Sequence, residues 1–146
     1  MAITSAICNS FKQEILEAEH NFTASTGNTF KLALYTSSAT LGASTTAYSS
    51  SNEITNTSGT AYTAGGKALT SVTPTLDSST AVCDFADVSW TSASFTARGC
   101  LIYNDSHSTD ASVCAIDFGG DKTATSGTFT IQFPAAAATT AIIRIA

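Results

Sequence analysis

The sequence predicts a mainly β protein: an antiparallel, jelly-roll-like β-sandwich of about seven or eight strands with one N-terminal α-helix. Short segments that alternate apolar with polar residues recur along the chain, and polar turn residues separate them. Three such segments follow one another within residues 93–133, which indicates a β-meander. Only the N-terminal segment spaces its apolar residues as a helix does.

Length and composition limit both the fold and the function. The 146 residues are expected to form one domain, residues 1–146, that is long enough to bury a core. Charged residues make up 12% of the chain, and the net charge is −5 with only six lysines and arginines. This balance argues against a phosphate-binding surface, so no nucleic-acid partner is expected. The chain shows neither a signal-peptide pattern nor an apolar run of roughly 20 residues, so we expect a cytoplasmically made protein with no membrane partner.

The first element is a predicted helix over residues 4–20, within an arm defined as residues 1–20. Thr4 or Ser5 is the expected N-cap, and Asn21 the expected end. Such a helix covers an open face or edge of a sheet, or it reaches onto a neighbouring subunit; both readings stay open. Its apolar stripe consists of Ile7, Phe11, Ile15 and Leu16.

A strand and a long loop come next. Residues 29–35 alternate, with Phe30, Leu32 and Leu34 on one face. Residues 36–61 are rich in serine, threonine and alanine and are predicted to be a long loop, of the kind that often carries binding surfaces. Tyr48 and Ile54 are among its few large apolar residues, and they favour a loop that packs against the sheet.

The middle of the chain supplies the second layer. Gly65 and Gly66 precede Lys67, but the spacing does not match a phosphate-binding loop, so the glycine pair predicts a turn or bulge. Strands are expected over residues 68–76, where Pro74 places the end near a sheet edge, and over residues 80–85.

The meander and the last strand complete the sandwich. The three predicted strands span residues 94–103, 112–118 and 128–133, with turns at 104–106 and 119–122. Alternation in the first of them places Phe95, Ala97, Gly99, Leu101 and Tyr103 on one face. Residues 140–146 form the final strand.

Residues that carry chemistry are few and widely spaced. The four cysteines include no C-x-x-C pair, so buried free thiols are expected, with a Cys100–Cys114 disulfide as the alternative. His20 is expected at a helix end and His107 in a solvated turn. The aspartate pairs 84/87 and 117/121 are explained by turns. We therefore predict no catalytic, cofactor-binding or metal-binding residues and no enzymatic activity.

Six segments together span nearly the whole chain and carry a resemblance to a known family. These are ITSAICNSFKQEIL (3–16), NTFKLALY (28–35), YTAGG (62–66), ARGCLIYN (97–104), DFGGDK (117–122) and AIIRIA (141–146). They resemble a family of small virion proteins from tailed phages of aquatic bacteria. The resemblance implies a structural role without catalytic residues, most simply a capsid decoration, or cement, protein on the capsid surface of the virion.

The resemblance implies particular partners as well. A decoration protein binds the major capsid protein lattice and stabilises it, and symmetry favours a homodimer or homotrimer. A tail, neck or fibre component that binds other tail proteins or a host glycan is the alternative. We expect the helix and the 36–61 loop to supply the contacts. The predicted interface residues are Phe11, Ile15, Leu16, Tyr48 and Ile54.

Overall fold

A computed structural model, which describes residues 2–55 and 59–146, contains two antiparallel β-sheets and one short helix, and it confirms the predicted mainly β class. The larger sheet has five strands in the order β1-β7-β6-β2-β3, and the smaller has three in the order β4-β5-β8. The elements are β1 (Ala6–Ile7), α1 (Asn9–Leu16), β2 (Phe30–Tyr35), β3 (Lys67–Ala68), β4 (Ser71–Asp77), β5 (Thr80–Phe85), β6 (Val88–Asn104), β7 (Ala111–Ile131) and β8 (Ile143–Ile145).

The predicted three-stranded meander is wrong in detail, because it is a hairpin of two long strands. The segments 112–118 and 128–133 belong to one strand, β7, which pairs with β6 over most of its length. The glycines at 119 and 120 do not reverse the chain. Ala97 pairs with Lys122 and Gly99 with Asp117, so Arg98 alone stands opposite the four residues 118–121. The pair of glycines therefore lies in a long, irregular β-bulge, and Gly119 has a φ of 75°.

The same irregularity changes which face β6 presents. Phe95 and Ala97 lie in the core between the two sheets, as do Cys100 and Ile102. Leu101 lies in a second core on the other side of the sheet. The predicted common face of residues 95–103 is therefore wrong, because a one-residue change of phase moves every following side chain to the opposite face.

Both faces of the five-stranded sheet are covered. The main core between the sheets includes Phe30, Leu32 and Leu34 from β2 and Phe85 from β5. On the opposite face, the segment after β2 packs over the sheet, as predicted for residues 36–61, of which 56–58 lie outside the described residues. The second core consists of Ile3, Ala33, Tyr35, Ala39, Leu101, Tyr103 and Ala115, with Leu41 and Tyr48 against it.

The N-terminal arm contains much less helix than predicted. Ala6 and Ile7 were predicted to lie in the first turns of the helix. They form β1 instead, and they pair with Ala115 and Cys114 of β7 at the edge of the sheet. Cys8, rather than Thr4 or Ser5, is the N-cap. The helix ends at Leu16, because Ala18 has a φ of 61° and cannot continue it. In this structure the arm packs on the chain's own sheet, which is one of the two arrangements expected from the sequence.

The predicted strand 68–76 is divided between the two sheets. Lys67–Ala68 pairs with β2, whereas Ser71–Asp77 pairs with β5. Pro74 interrupts β4 at a register shift between Val72 and Thr75, on a strand at the sheet edge, where the missing N–H removes no ladder bond.

Candidate functional site

An apolar groove opens between helix α1, the segment that follows it and the three-stranded sheet. We call it the helix groove, and it encloses about 520 Å³. Its walls combine the buried face of the helix with inward-facing side chains of β5 and β8. The apolar side chains that line it are Phe11, Ile15, Phe22, Cys83, Ile143 and Ile145.

Large exposed apolar side chains surround the helix groove. Leu76 stands opposite Ala81 in the ladder and Ala81 stands opposite Ile145, so the three form a row on one face of the sheet. Leu76 is 72% exposed and Ile145 is 59% exposed. Leu16, at the end of the helix and 88% exposed, follows Ile15 in the groove wall. A cluster of exposed apolar residues of this kind is typical of a contact surface for another protein.

A buried histidine closes the polar end of the helix groove. His20 Nε2 lies 2.6 Å from Glu14 Oε2, and His20 Nδ1 lies 3.1 Å from Asn104 Nδ2. Asn104 Oδ1 accepts the Ser106 N–H, so Asn104 Nδ2 must donate to His20 Nδ1. The imidazole proton is therefore on Nε2 and is donated to Glu14. Because both ring nitrogens are engaged, this histidine joins the helix to the end of β6 and has no nitrogen left for base catalysis.

Both histidine positions differ from the expectation. His20 is buried, with its ring 4.9 Å from the ring of Phe11, rather than simply ending a helix. His107 is not a freely solvated turn residue: its Nε2 lies 3.3 Å from Glu19 Oε2, and its ring stacks on His20 at 6.2 Å. The burial of His20 depends on Asn104, which is distant in sequence, so no local pattern indicated it.

A second buried polar cluster holds the 36–61 loop against the sheet. Glu53 is 6% exposed, and its carboxylate accepts hydrogen bonds from the Tyr62 hydroxyl at 2.6 Å, the Tyr48 hydroxyl at 2.7 Å and the Gly65 N–H at 2.8 Å. Burial raises the pKa of Tyr62, and its hydrogen bond to Glu53 raises it further. Tyr103 donates its hydroxyl to the Gly65 carbonyl at 2.6 Å. This cluster ties the loop down and presents no reactive group to solvent.

The structure separates the five predicted interface residues. Phe11 and Ile54 are 4% and 5% exposed and belong to the main core, and Phe11 also lines the helix groove. Ile15 lines the helix groove and Leu16 is exposed beside it. Tyr48 stacks on Tyr103 at 4.7 Å on the other side of the five-stranded sheet. Of the predicted set, Phe11 and Ile15 line the groove, and Leu16 is the next residue after Ile15.

The cysteine side chains do not supply a nucleophile or a disulfide. All four are free and buried, as expected, and the alternative Cys100–Cys114 disulfide is absent. Cys100 stands opposite Ile116, and Cys114 opposite Ile102. Burial raises the pKa of Cys83 and of Cys100 to about 12, which suppresses the reactive thiolate.

Aspartate side chains of the two predicted pairs make structural contacts. Asp117 Oδ1 lies 2.8 Å from Arg98 Nε and accepts the Gly119 N–H at 3.1 Å, and together these bonds lower the pKa of Asp117. Asp87 accepts the Phe133 N–H at 2.9 Å, and Asp84 accepts the Phe85 N–H at 2.8 Å. Among the described residues, no group of three or more histidine, cysteine, aspartate and glutamate side chains is placed to hold a metal ion. The helix in the described part of the chain is not long and apolar enough to cross a membrane.

Comparison of the chain with protein-family models, with curated proteins and with solved structures found no match. The helix groove, with exposed apolar residues beside it, differs from an ordinary polar protein surface.

Proposed function

We propose that this protein is a structural component of a phage virion: a capsid decoration, or cement, protein that binds the outer surface of the major capsid protein lattice and stabilises it. The observation that carries the proposal is the apolar helix groove, with Ile145 in its wall and the exposed Leu76 and Leu16 next to the wall residues Ala81 and Ile15. The resemblance of the six sequence segments to phage virion proteins supports it independently.

The size of this surface suits a lattice-bound protein. Burying each of the three exposed side chains contributes about 1.5–3 kcal/mol, before the cost of association is subtracted. One such contact is modest for a single monomer. A homodimer or homotrimer that engages several lattice sites at once gains affinity without further contacts, because the second site binds at a high effective concentration.

The test is a capsid-binding assay with matched variants. Capsids that lack this protein are mixed with the wild type, with Leu16→Ser or Ile145→Ser, or with the control Val72→Ser, and bound copies per capsid are counted by gel densitometry. Val72 is 44% exposed but stands opposite Asp84, away from the Leu76–Ile145 row. We expect each groove variant to weaken binding about tenfold, a loss of about 1.4 kcal/mol, and the control to bind normally. Equal binding by all variants would refute the role of this surface.

A tail, neck or fibre component is the second candidate, and one observation favours it. A groove of about 420 Å³ on the opposite side of the molecule is lined largely by hydroxyl and amide side chains, including Thr40, Ser44, Thr45 and Asn52. Such a groove suits a polar ligand such as a host glycan. Copy number separates the candidates: a decoration protein covers the capsid lattice in many copies, whereas a tail component is present in few. Quantitative mass spectrometry of purified virions measures it.

A further inference from the structure

Among the described residues, a long stretch of one edge of strand β7 has no neighbouring strand. In the five-stranded sheet it lies between β1 and β6, but β1 pairs only with Cys114 and Ala115. Within the part of the chain that the structure describes, the β7 residues beyond the bulge, 122–131, therefore pair with β6 on one side only, with register shifts on either side of Gly127. The backbone N–H and C=O groups of an open edge are a template for an added strand.

An apolar groove runs beside this open edge. We call it the β7 groove, and it encloses about 500 Å³. Most of its apolar side chains are only partly buried, so the main core is exposed to solvent along this margin. The apolar side chains are Ile116, Phe118, Phe129, Ile131, Phe133 and Ile142.

Of the described residues that line the β7 groove, one is charged, Lys122. It stands opposite the buried Ala97, so its side chain starts from the inner face of the sheet. Unlike Arg98, which pairs with Asp117, Lys122 makes no ion pair or hydrogen bond with any other described residue. An unpaired ammonium group beside apolar walls is complementary to a ligand that carries apolar groups and one carboxylate.

We propose that the β7 groove binds an extended segment of a partner protein. The segment adds to the free edge of β7 as a strand, inserts alternate apolar side chains into the groove and places a carboxylate against Lys122. A peptide fits better than a fatty acid, because only a peptide also satisfies the backbone groups of the edge that runs along the groove. Strand β4 is a poorer template, since Pro74 offers no N–H to an added strand at that edge. This inference does not depend on the partner's being a capsid protein.

A charge-swap experiment tests the proposal. The probes are fluorescein-labelled heptapeptides that alternate threonine with valine, isoleucine or phenylalanine and end in either aspartate or lysine. Fluorescence anisotropy measures their binding to the wild type, to Lys122→Glu and to the control Lys12→Glu, a lysine that bonds Asn9 on helix α1. We expect the wild type and the control to bind an aspartate peptide at least tenfold more tightly than its lysine partner, and Lys122→Glu to reverse that preference.

A second measurement locates the bound peptide. In two-dimensional NMR spectra, the amides of residues 118–131 are expected to shift on addition of the aspartate peptide, while those of α1 stay unchanged. The proposal is overturned if none of the peptides binds at millimolar concentration, if both charges bind equally, or if the shifts fall at the helix groove. If dodecanoate binds with the same dependence on Lys122 and no peptide binds, the groove is a site for an amphiphile. That result would overturn the proposal of an added strand.

Discussion

Removing the Glu53 carboxylate should destabilise the fold much more than removing an exposed glutamate. In Glu53→Ala, the Tyr62 hydroxyl and the Gly65 N–H lose an acceptor that they share, the Oε1 atom of Glu53. Tyr62 is almost fully buried, so water does not readily replace the carboxylate there. Tyr48 is only partly buried, and its hydroxyl regains a partner in solvent.

The magnitude follows chiefly from the Tyr62 hydroxyl, because the Gly65 N–H, like the Tyr48 hydroxyl, is only partly buried. A buried donor left without an acceptor costs about 1–3 kcal/mol, and the alanine variant avoids part of the cost of desolvating a buried carboxylate. We therefore expect Glu53→Ala to lose about 1–3 kcal/mol of unfolding free energy. For a urea m-value of about 2 kcal/mol/M, the unfolding midpoint falls by about 0.5–1.5 M.

The assay is urea unfolding followed by circular dichroism at neutral pH. The control is Glu17→Ala, which removes an exposed carboxylate that accepts one bond, from the Gln13 side chain at 2.9 Å, and should change stability by about 0.5 kcal/mol or less. Glu53→Gln keeps an oxygen for Tyr62 and Gly65 and should lose less than the alanine variant. If Glu53→Ala is no less stable than Glu17→Ala, the buried cluster does not hold the loop.

Two further predictions concern the backbone and the tyrosines. Gly66 has a φ of 79°, and a Cβ at this position would overlap the Leu32 carbonyl. Gly66→Ala should therefore lose about 3 kcal/mol or more of unfolding free energy. The control Gly120→Ala, which has open space around its Cβ position, should be near neutral in the same urea assay. Above a pH of about 10 an unfolded chain releases its tyrosine protons, whereas burial raises the pKa of Tyr35 and of Tyr62 in the folded protein. The unfolded state then binds fewer protons, so stability should fall as the pH rises, by up to about 1.4 kcal/mol per pH unit for each such tyrosine. A urea midpoint that stays constant between pH 8 and pH 11 would contradict this reasoning.

The candidate site was only partly predictable from the sequence. The helical pattern marked Ile15 and Leu16 as interface candidates, and the structure places Ile15 in the wall of the helix groove and Leu16 exposed as the next residue. Leu76 and Ile145 gave no such signal, because each lies in an ordinary strand and they meet only through Ala81 of the strand between them. The sequence did not indicate the burial of Glu53 for a similar reason. Its donors Tyr48 and Tyr62 lie before and after it in a polar segment that shows no local pattern of burial.

The β class, the presence of one N-terminal helix and the location of most strands could be predicted from the sequence, because period-two alternation and turn residues are properties of neighbouring positions. How those strands combine depends on contacts between segments that are distant along the chain. Gly119 and Gly120 suit a turn or a bulge equally well, and they form a bulge because β6 is long enough to continue pairing beyond them. Ala6 and Ile7 continue a helical pattern, yet they form a strand because β7 offers them an edge. In both cases a partner distant in sequence supplies backbone hydrogen bonds that outweigh the local preference.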